Sequence, residues 1–474
     1  MKKIKLLSLI LTAFLLQNCT QDFEAVNTDP NSPTDVPAHL FLGNIIRVNQ
    51  NIIYNAQIGG DMGLCWAQHW SKVQYNDEEK YRPRRGVIDN IWDALYADVI
   101  SDAKSMYNKA EIEENKNLQA ISLVLQANTF QILTDVYGPV PFSEVGQLGN
   151  LKPKFDSQED VYNGILDLLT QADELFAAGE GEVPSTSDLV YGGDVSKWKK
   201  LGKSLHFKAL LRISNKLDVG SQLQALVNSG ELISSNDESA QLIYLAAQPD
   251  ANPIYETIIF GNRAEYKNSS VLIDKLVTAN DPRLPFISQT NNAGAYVGNV
   301  PGVENTSNYG GFSSPGTMYL ESTLPGVILS HAQVKFMLAE ASNRGLISGG
   351  QTAALAFYLD GIRASMEFNG VDSGDIDTFL ALPNINFTTA EDGRAKIGEQ
   401  NWIALYGQGI EAWTEWRRTG IPSLAPVQNA AITSIPKRYY YPTYLVNINR
   451  DNYLEAVATL SGGDELTAPV WWMN

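Results

Sequence analysis

The sequence predicts an all-α protein made of antiparallel helix pairs, with long irregular loop excursions on the helical scaffold. Three observations point there. Apolar residues recur at 3-and-4 spacing in several long segments, strand signals are sparse and short, and one stretch, 281–324, is dense in Gly, Asn, Ser and Pro. With 44% apolar and 10% aromatic residues, the 474-residue chain has ample material for a core.

Taken in order, the first helical pattern covers about 37–58. Ile88, Ile91, Trp92, Leu95, Tyr96, Val99, Ala103, Met106 and Tyr107 then mark one buried stripe, predicting a helix over 86–110. "LQAISLVLQANTFQILTDVYG" is apolar nearly all round, so 116–137 reads as a helix covered on several sides. Val161, Ile165, Leu168, Leu169, Ala172, Leu175 and Phe176 predict 157–178, with Asp156 or Ser157 as its cap. A fourth helix is predicted at 195–217. Joined by loops, these four would be antiparallel neighbours, a helical-repeat architecture without strict sequence periodicity. Further helices are predicted at 325–345, 351–369 and 389–419. Ahead of them, the 281–324 stretch cannot build a core alone and reads as an excursion from the scaffold.

The chain starts with a basic segment (Lys2, Lys3, Lys5) followed by largely apolar residues 6–16. A membrane-spanning helix needs roughly 20 apolar residues, so residues 1–18 read as an export signal. "LLQNC" is similar to a bacterial lipobox, with Leu16 three residues before Cys19, although Gln17 and Asn18 are bulkier than that pattern. Cys19 is therefore the expected lipidation site, residues 19–36 a polar tether, and 37–474 a single domain. Acylation of Cys19 leaves Cys65 as the other cysteine, without a disulfide partner within the chain. The whole chain has a net charge of −18, and losing residues 1–18 makes it more negative. That argues against nucleic acid or an anionic lipid surface as partner.

Catalytic patterns are scarce. His39, His69, His206 and His331 make no helical metal pair, and there is no G-x-S-x-G elbow. "KWKKLGKS" ends like a phosphate loop but has Lys197 where the first glycine belongs. Asp372, Asp375 and Asp377 lie close enough to suggest calcium, yet lack the loop spacing and closing Glu of an EF-hand. Otherwise no cofactor is expected. Glu411 and Glu415 in "GIEAWTEWRRTG" stand one helical turn apart, side by side, where a glycosidase needs carboxylates facing each other across the substrate. A structural Glu–Arg–Trp network is the better reading of that segment.

What remains is binding. Sugars present apolar C–H faces and hydroxyl edges, which flat aromatics with Asn, Asp and Arg can grip. "CWAQHWSKVQYNDEEKYRPRR" supplies Trp70, Tyr75, Asn76 and Arg82; the excursion supplies Tyr296 and Tyr309. These six are the candidate ligand contacts, while Trp66 and Trp92, on helical stripes, read as core.

Six stretches in chain order carry a resemblance: "DFEAVNTDPNSPTDVP", "LTDVYGPVPFSEV", "DVSKWKKLGKSLHFKALLRIS", "LPGVILSHAQVKFMLAEASNRG", "WIALYGQGIEAWTEWRRTGIP" and "RYYYPTYLVNINRDNYLEAVATLSGGDELTAPVWW". Together they resemble the SusD/RagB family of surface nutrient-binding lipoproteins of Bacteroidetes, and more narrowly its SusD-like second subgroup. The resemblance implies a SusD-like fold with four tetratricopeptide-like helix pairs. It also implies lipid anchoring at the outer membrane, on the cell surface. There the protein would act as a lid on a SusC-like TonB-dependent transporter, capturing an oligosaccharide, or in some relatives a peptide, for import without catalysis. Two other classes stand beside it: a surface glycoside hydrolase using an unrecognised carboxylate pair, and a structural scaffold with no small ligand.

Overall fold

Apolar stripes become helices throughout the computed structural model, which describes residues 36–473; the leader, Cys19 and nearly all of the tether lie outside them. From Ala38 onward the chain forms one compact unit. The Ile88–Tyr107 stripe folds as one continuous run, Arg85–Asp93 and Ser101–Ile112 joined by a π-helical stretch, Ala94–Ile100. Helix Lys116–Tyr137 follows after the Asn115 side chain accepts from the Leu118 amide at 2.9 Å, satisfying one orphan donor. Ser157 does the same for Gln158–Ala178, accepting from the Asp160 amide at 3.1 Å, and Gly179 in the left-handed region ends that helix. Val195–Ile213 starts from an Asp194 cap.

These helices pack each on the next, and Lys116–Tyr137 also meets helix His39–Ile53, which explains its burial on nearly every side. His331–Asn343, Gly350–Phe368 and Ala390–Ala404 form a second set of packed helices with their own cluster around Phe336, Tyr358 and Phe387. The fold is all-α and tetratricopeptide-like, with two small two-stranded sheets among the described residues.

Three helix boundaries differ from expectation. The 37–58 segment is His39–Ile53 followed by a π-helix, Ala56–Leu64. The 325–345 segment begins as a strand, Gly326–Leu329, paired antiparallel with Ala240–Leu242; only after Ser330 caps the Gln333 amide does the helix start. The 389–419 segment breaks at Gly407, whose φ is 87°, so that Gly409–Thr419 turns to pack on Ala56–Leu64. Their backbones approach too closely for any side chain: a Cβ on Gly63 would stand 2.6 Å from the Gly409 carbonyl carbon.

Gly409–Thr419 carries the acidic pair, and it is structural. Arg212, fully buried, meets Glu411 at 2.8 Å and Glu415 at 2.9 Å, with Asp135 at 3.7 Å. Arg418 bridges Glu415 at 2.7 Å and also holds Glu340. Burial alone would raise the Glu415 carboxyl, but Arg418 and Arg212 overrule it and hold the group at about 2. The Arg417 guanidinium lies 3.7 Å from the centre of the buried Trp413 ring, which donates to the Pro436 carbonyl.

The 281–324 excursion is stitched down by its backbone. Thr306 N donates to Val73 O at 2.8 Å, Ser270 N to Asn299 O at 2.8 Å, and Ser313 N to Val297 O at 2.7 Å. Gly302, with φ 78°, fits only without a Cβ, which would lie 2.1 Å from the Gln428 carbonyl oxygen. Asp372, Asp375 and Asp377 do not converge on a common point. Asp372 stands at the start of helix Ser373–Leu380 and Asp377 pairs with Arg363 at 2.7 Å; among the described residues no acid, His or Cys group is placed to hold a metal. No helix among them is long and apolar enough to cross a membrane.

Candidate ligand-binding cleft

The short ladder Trp70–Lys72 with Tyr266–Asn268 sets Lys72 opposite Tyr266 and thereby brings 70–84 alongside 257–266. A cleft of about 1150 Å³ opens there, and the excursion contributes Tyr309 to its wall. Tyr75, Arg82 and Tyr309, three of the six expected contacts, line this one cleft although 234 positions separate the two tyrosines. Tyr75 is 63% exposed and sits at φ 53°, a turn conformation that pushes its ring outward. The Arg263 guanidinium lies 5.4 Å from the centre of that ring, a cation–π distance. The Tyr309 hydroxyl donates to the Gln74 side chain, fixing the ring. Arg82, 58% exposed, has a loose partner in Asp77 at 3.6 Å.

The other three expectations need correction. Trp70 is 1% exposed and belongs to the core: its Nε1 donates to the Tyr406 hydroxyl at 2.9 Å, which donates onward to Asn268 Oδ1 at 2.6 Å. Its place at the start of the ladder, opposite Asn268 and with the Tyr266 ring 5.6 Å away, seals the ring. Asn76 is buried and spends its amide on Val303 O at 2.8 Å, so it anchors the excursion. Tyr296 is half-buried and does not line the cleft. Trp66 and Trp92 are core residues.

Sequence reasoning missed the wall made by Thr257, Asn262 and Arg263 and the floor made by Asp61, Lys72 and Tyr266. "GNRAEY", a polar turn carrying Asn, Arg and Tyr, offered the one local signal. In the floor, Lys72 Nζ lies 3.0 Å from Asp61 and 4.8 Å from the Tyr266 ring centre. Burial raises the Asp61 carboxyl to about 6 against the opposing pull of Lys72. Beneath, Glu79 accepts from Lys72 N at 3.0 Å and Gly302 N at 3.1 Å, tying floor to excursion; burial pushes its carboxyl up to about 7.

A second groove, about 1230 Å³, lies elsewhere on the helical body beside Trp92, Tyr96, Tyr107 and Tyr444. None of the six expected contacts lies in it. Cys65 is a buried free thiol, raised well above its ordinary value by burial. Burial drives the His69 ring, 4.4 Å from Trp402, down to about 3.

The structure is a helical-repeat scaffold of the tetratricopeptide-like class that carries a polar, tyrosine-walled cleft. The chain belongs to the SusD-like second family, described as "Starch-binding associating with outer membrane", whose profile matches residues 30–442. Among solved structures, a chitin-binding protein is 27% identical, with 92% of this chain and 97% of that chain covered and a TM-score of 0.77. A SusD homologue from Bacteroides uniformis is 23% identical, covering 93% and 100%, at TM-score 0.80. A chitin-binding SusD homologue from Flavobacterium johnsoniae is 22% identical, covering 92% and 98%, at 0.77. At these lower identities the last two show the fold alone. No protein of curated function matches the chain.

Proposed function

We propose that this protein is a cell-surface lipoprotein that captures an oligosaccharide in the Tyr75–Tyr309 cleft. It then delivers the ligand, without catalysis, to a SusC-like TonB-dependent outer-membrane transporter on which it sits as a lid. The observation that carries the reading is the meeting of Tyr75, Arg82 and Tyr309 from distant segments in one cleft of oligosaccharide size. Family membership and the likeness to a 27%-identical chitin-binding protein support it. Anchoring would be through Cys19. A binding role without turnover fits the carboxylates: Glu411 and Glu415 are tied to Arg212, and the cleft acids Asp61, Glu78 and Glu265 each face a base.

The test is calorimetric titration with a panel of oligosaccharides and peptides, paired with copurification of a barrel partner from membranes. Binding of an oligosaccharide and recovery of the barrel are expected, with release of the Cys19→Ala form from the membrane. Peptide binding in place of sugar binding would favour the peptide-import reading. Release of reducing sugar, abolished by one Asp or Glu substitution, would replace the proposal with a hydrolase.

A further inference from the structure

The cleft carries four basic and four acidic side chains, and they are matched one to one. Lys72 stands 3.0 Å from Asp61, Arg84 pairs with Glu78, and Arg263 Nε donates to Glu265 at 2.7 Å. Arg82 faces Asp77 at 3.6 Å. In the first three pairs the acid is almost wholly buried, so its charge is fixed in place. A sulfate or carboxylate entering the cleft would compete with a carboxylate already seated on each base. It would also stand beside that acid's negative charge, in a chain whose net charge is −18. An ammonium group meets the converse problem, because each acid already faces its own cation.

Uncharged groups meet neither obstacle. A guanidinium has five N–H donors, and a single carboxylate leaves several free for hydroxyl or acetamido oxygens. Asn55, Gln57, Thr257 and Asn262 add neutral donors and acceptors to the walls, and the exposed Tyr75 ring offers a stacking surface.

We infer that the cleft selects an electrically neutral oligosaccharide, and discriminates against glycans bearing uronate, sulfate or free amine groups. This rests on the proposed glycan-binding role of the same cleft. The test is titration of the full chain with neutral hexasaccharides (maltohexaose, cellohexaose and fully N-acetylated chitohexaose), oligogalacturonate, heparin-derived oligosaccharide and chitosan oligosaccharide, in 50 and 500 mM NaCl. A neutral hexasaccharide is expected to bind at least tenfold more tightly than any charged one, with less than about twofold change between the two salts. Asp77→Asn, which leaves Arg82 without its acid, is expected to raise the uronate-to-neutral affinity ratio at least threefold. A charged glycan that binds more tightly than every neutral one, or a steep salt dependence, overturns the inference while leaving glycan binding intact. Peptide binding with no response to any sugar overturns both.

Discussion

Arg212→Met removes the cation that three acids share and leaves a side chain of similar reach. Arg212 is fully buried, 2.8 Å from Glu411, 2.9 Å from Glu415 and 3.7 Å from Asp135. Lys208, 3.2 Å from Glu411, and Arg418 still compensate part of that charge, while Asp135 loses its nearest cation. Breaking a buried pair by removing one partner costs about 3–5 kcal/mol, because the remaining charge is stranded away from water. At about 2 cal/mol/K per residue, a unit of this size has an unfolding entropy on the order of 0.9 kcal/mol/K, so Tm falls by about 4 °C. Differential scanning calorimetry and urea unfolding read this directly. The variant carrying Asp135→Asn and Glu415→Gln as well as Arg212→Met is expected to regain more than half of the loss, since the acid left without its nearest cation is neutral and Glu411 keeps Lys208. None of these residues lines the Tyr75–Tyr309 cleft, so ligand affinity stays put. A single-variant cost below about 1 kcal/mol, or a triple variant no more stable than the single, would refute the reasoning.

His69→Phe tests the cost of the buried neutral imidazole. The unfolded chain takes up a proton near pH 6.5, whereas the folded ring resists until about 3, so its contribution is complete above 6.5 and fades as pH falls. Urea unfolding at pH 7 and pH 5 should show the variant losing about 2 kcal/mol less than the parent over that interval; equal losses would exclude the effect. Gly302→Ala puts a side chain at φ 78° against the Gln428 carbonyl and is expected to cost about 1–3 kcal/mol. Hydrogen exchange at 299–306 should quicken, and unchanged exchange would mean that the excursion is not pinned there.

The helices were legible because burial of one face writes a 3.6-residue period into the chain, as in Ile88–Tyr107 and Val161–Phe176. The boundaries at Ser330 and Gly407 were not: "GVIL" gains its strand only from the distant Ala240–Leu242, and Gly407 breaks a run that otherwise looks helical. The candidate cleft was half legible for a similar reason. Tyr75, Arg82 and Tyr309 stand in polar turns with no apolar stripe to absorb them, and they reach the cleft. Trp70 stands in an equally polar stretch, but three residues of ladder are too few to show a period of two, so its burial against Tyr406 was hidden. Asn262 and Arg263 reach the cleft through the pairing of Trp70–Lys72 with Tyr266–Asn268, a contact across nearly two hundred residues that local pattern does not display.

The most direct test is calorimetric titration of the neutral hexasaccharide panel into the parent protein, Tyr75→Ala and Tyr309→Ala. Binding by the parent and at least a tenfold loss in each variant, about 1.4 kcal/mol, is the predicted result. A hexasaccharide that binds all three proteins equally would contradict it and move the site away from this cleft.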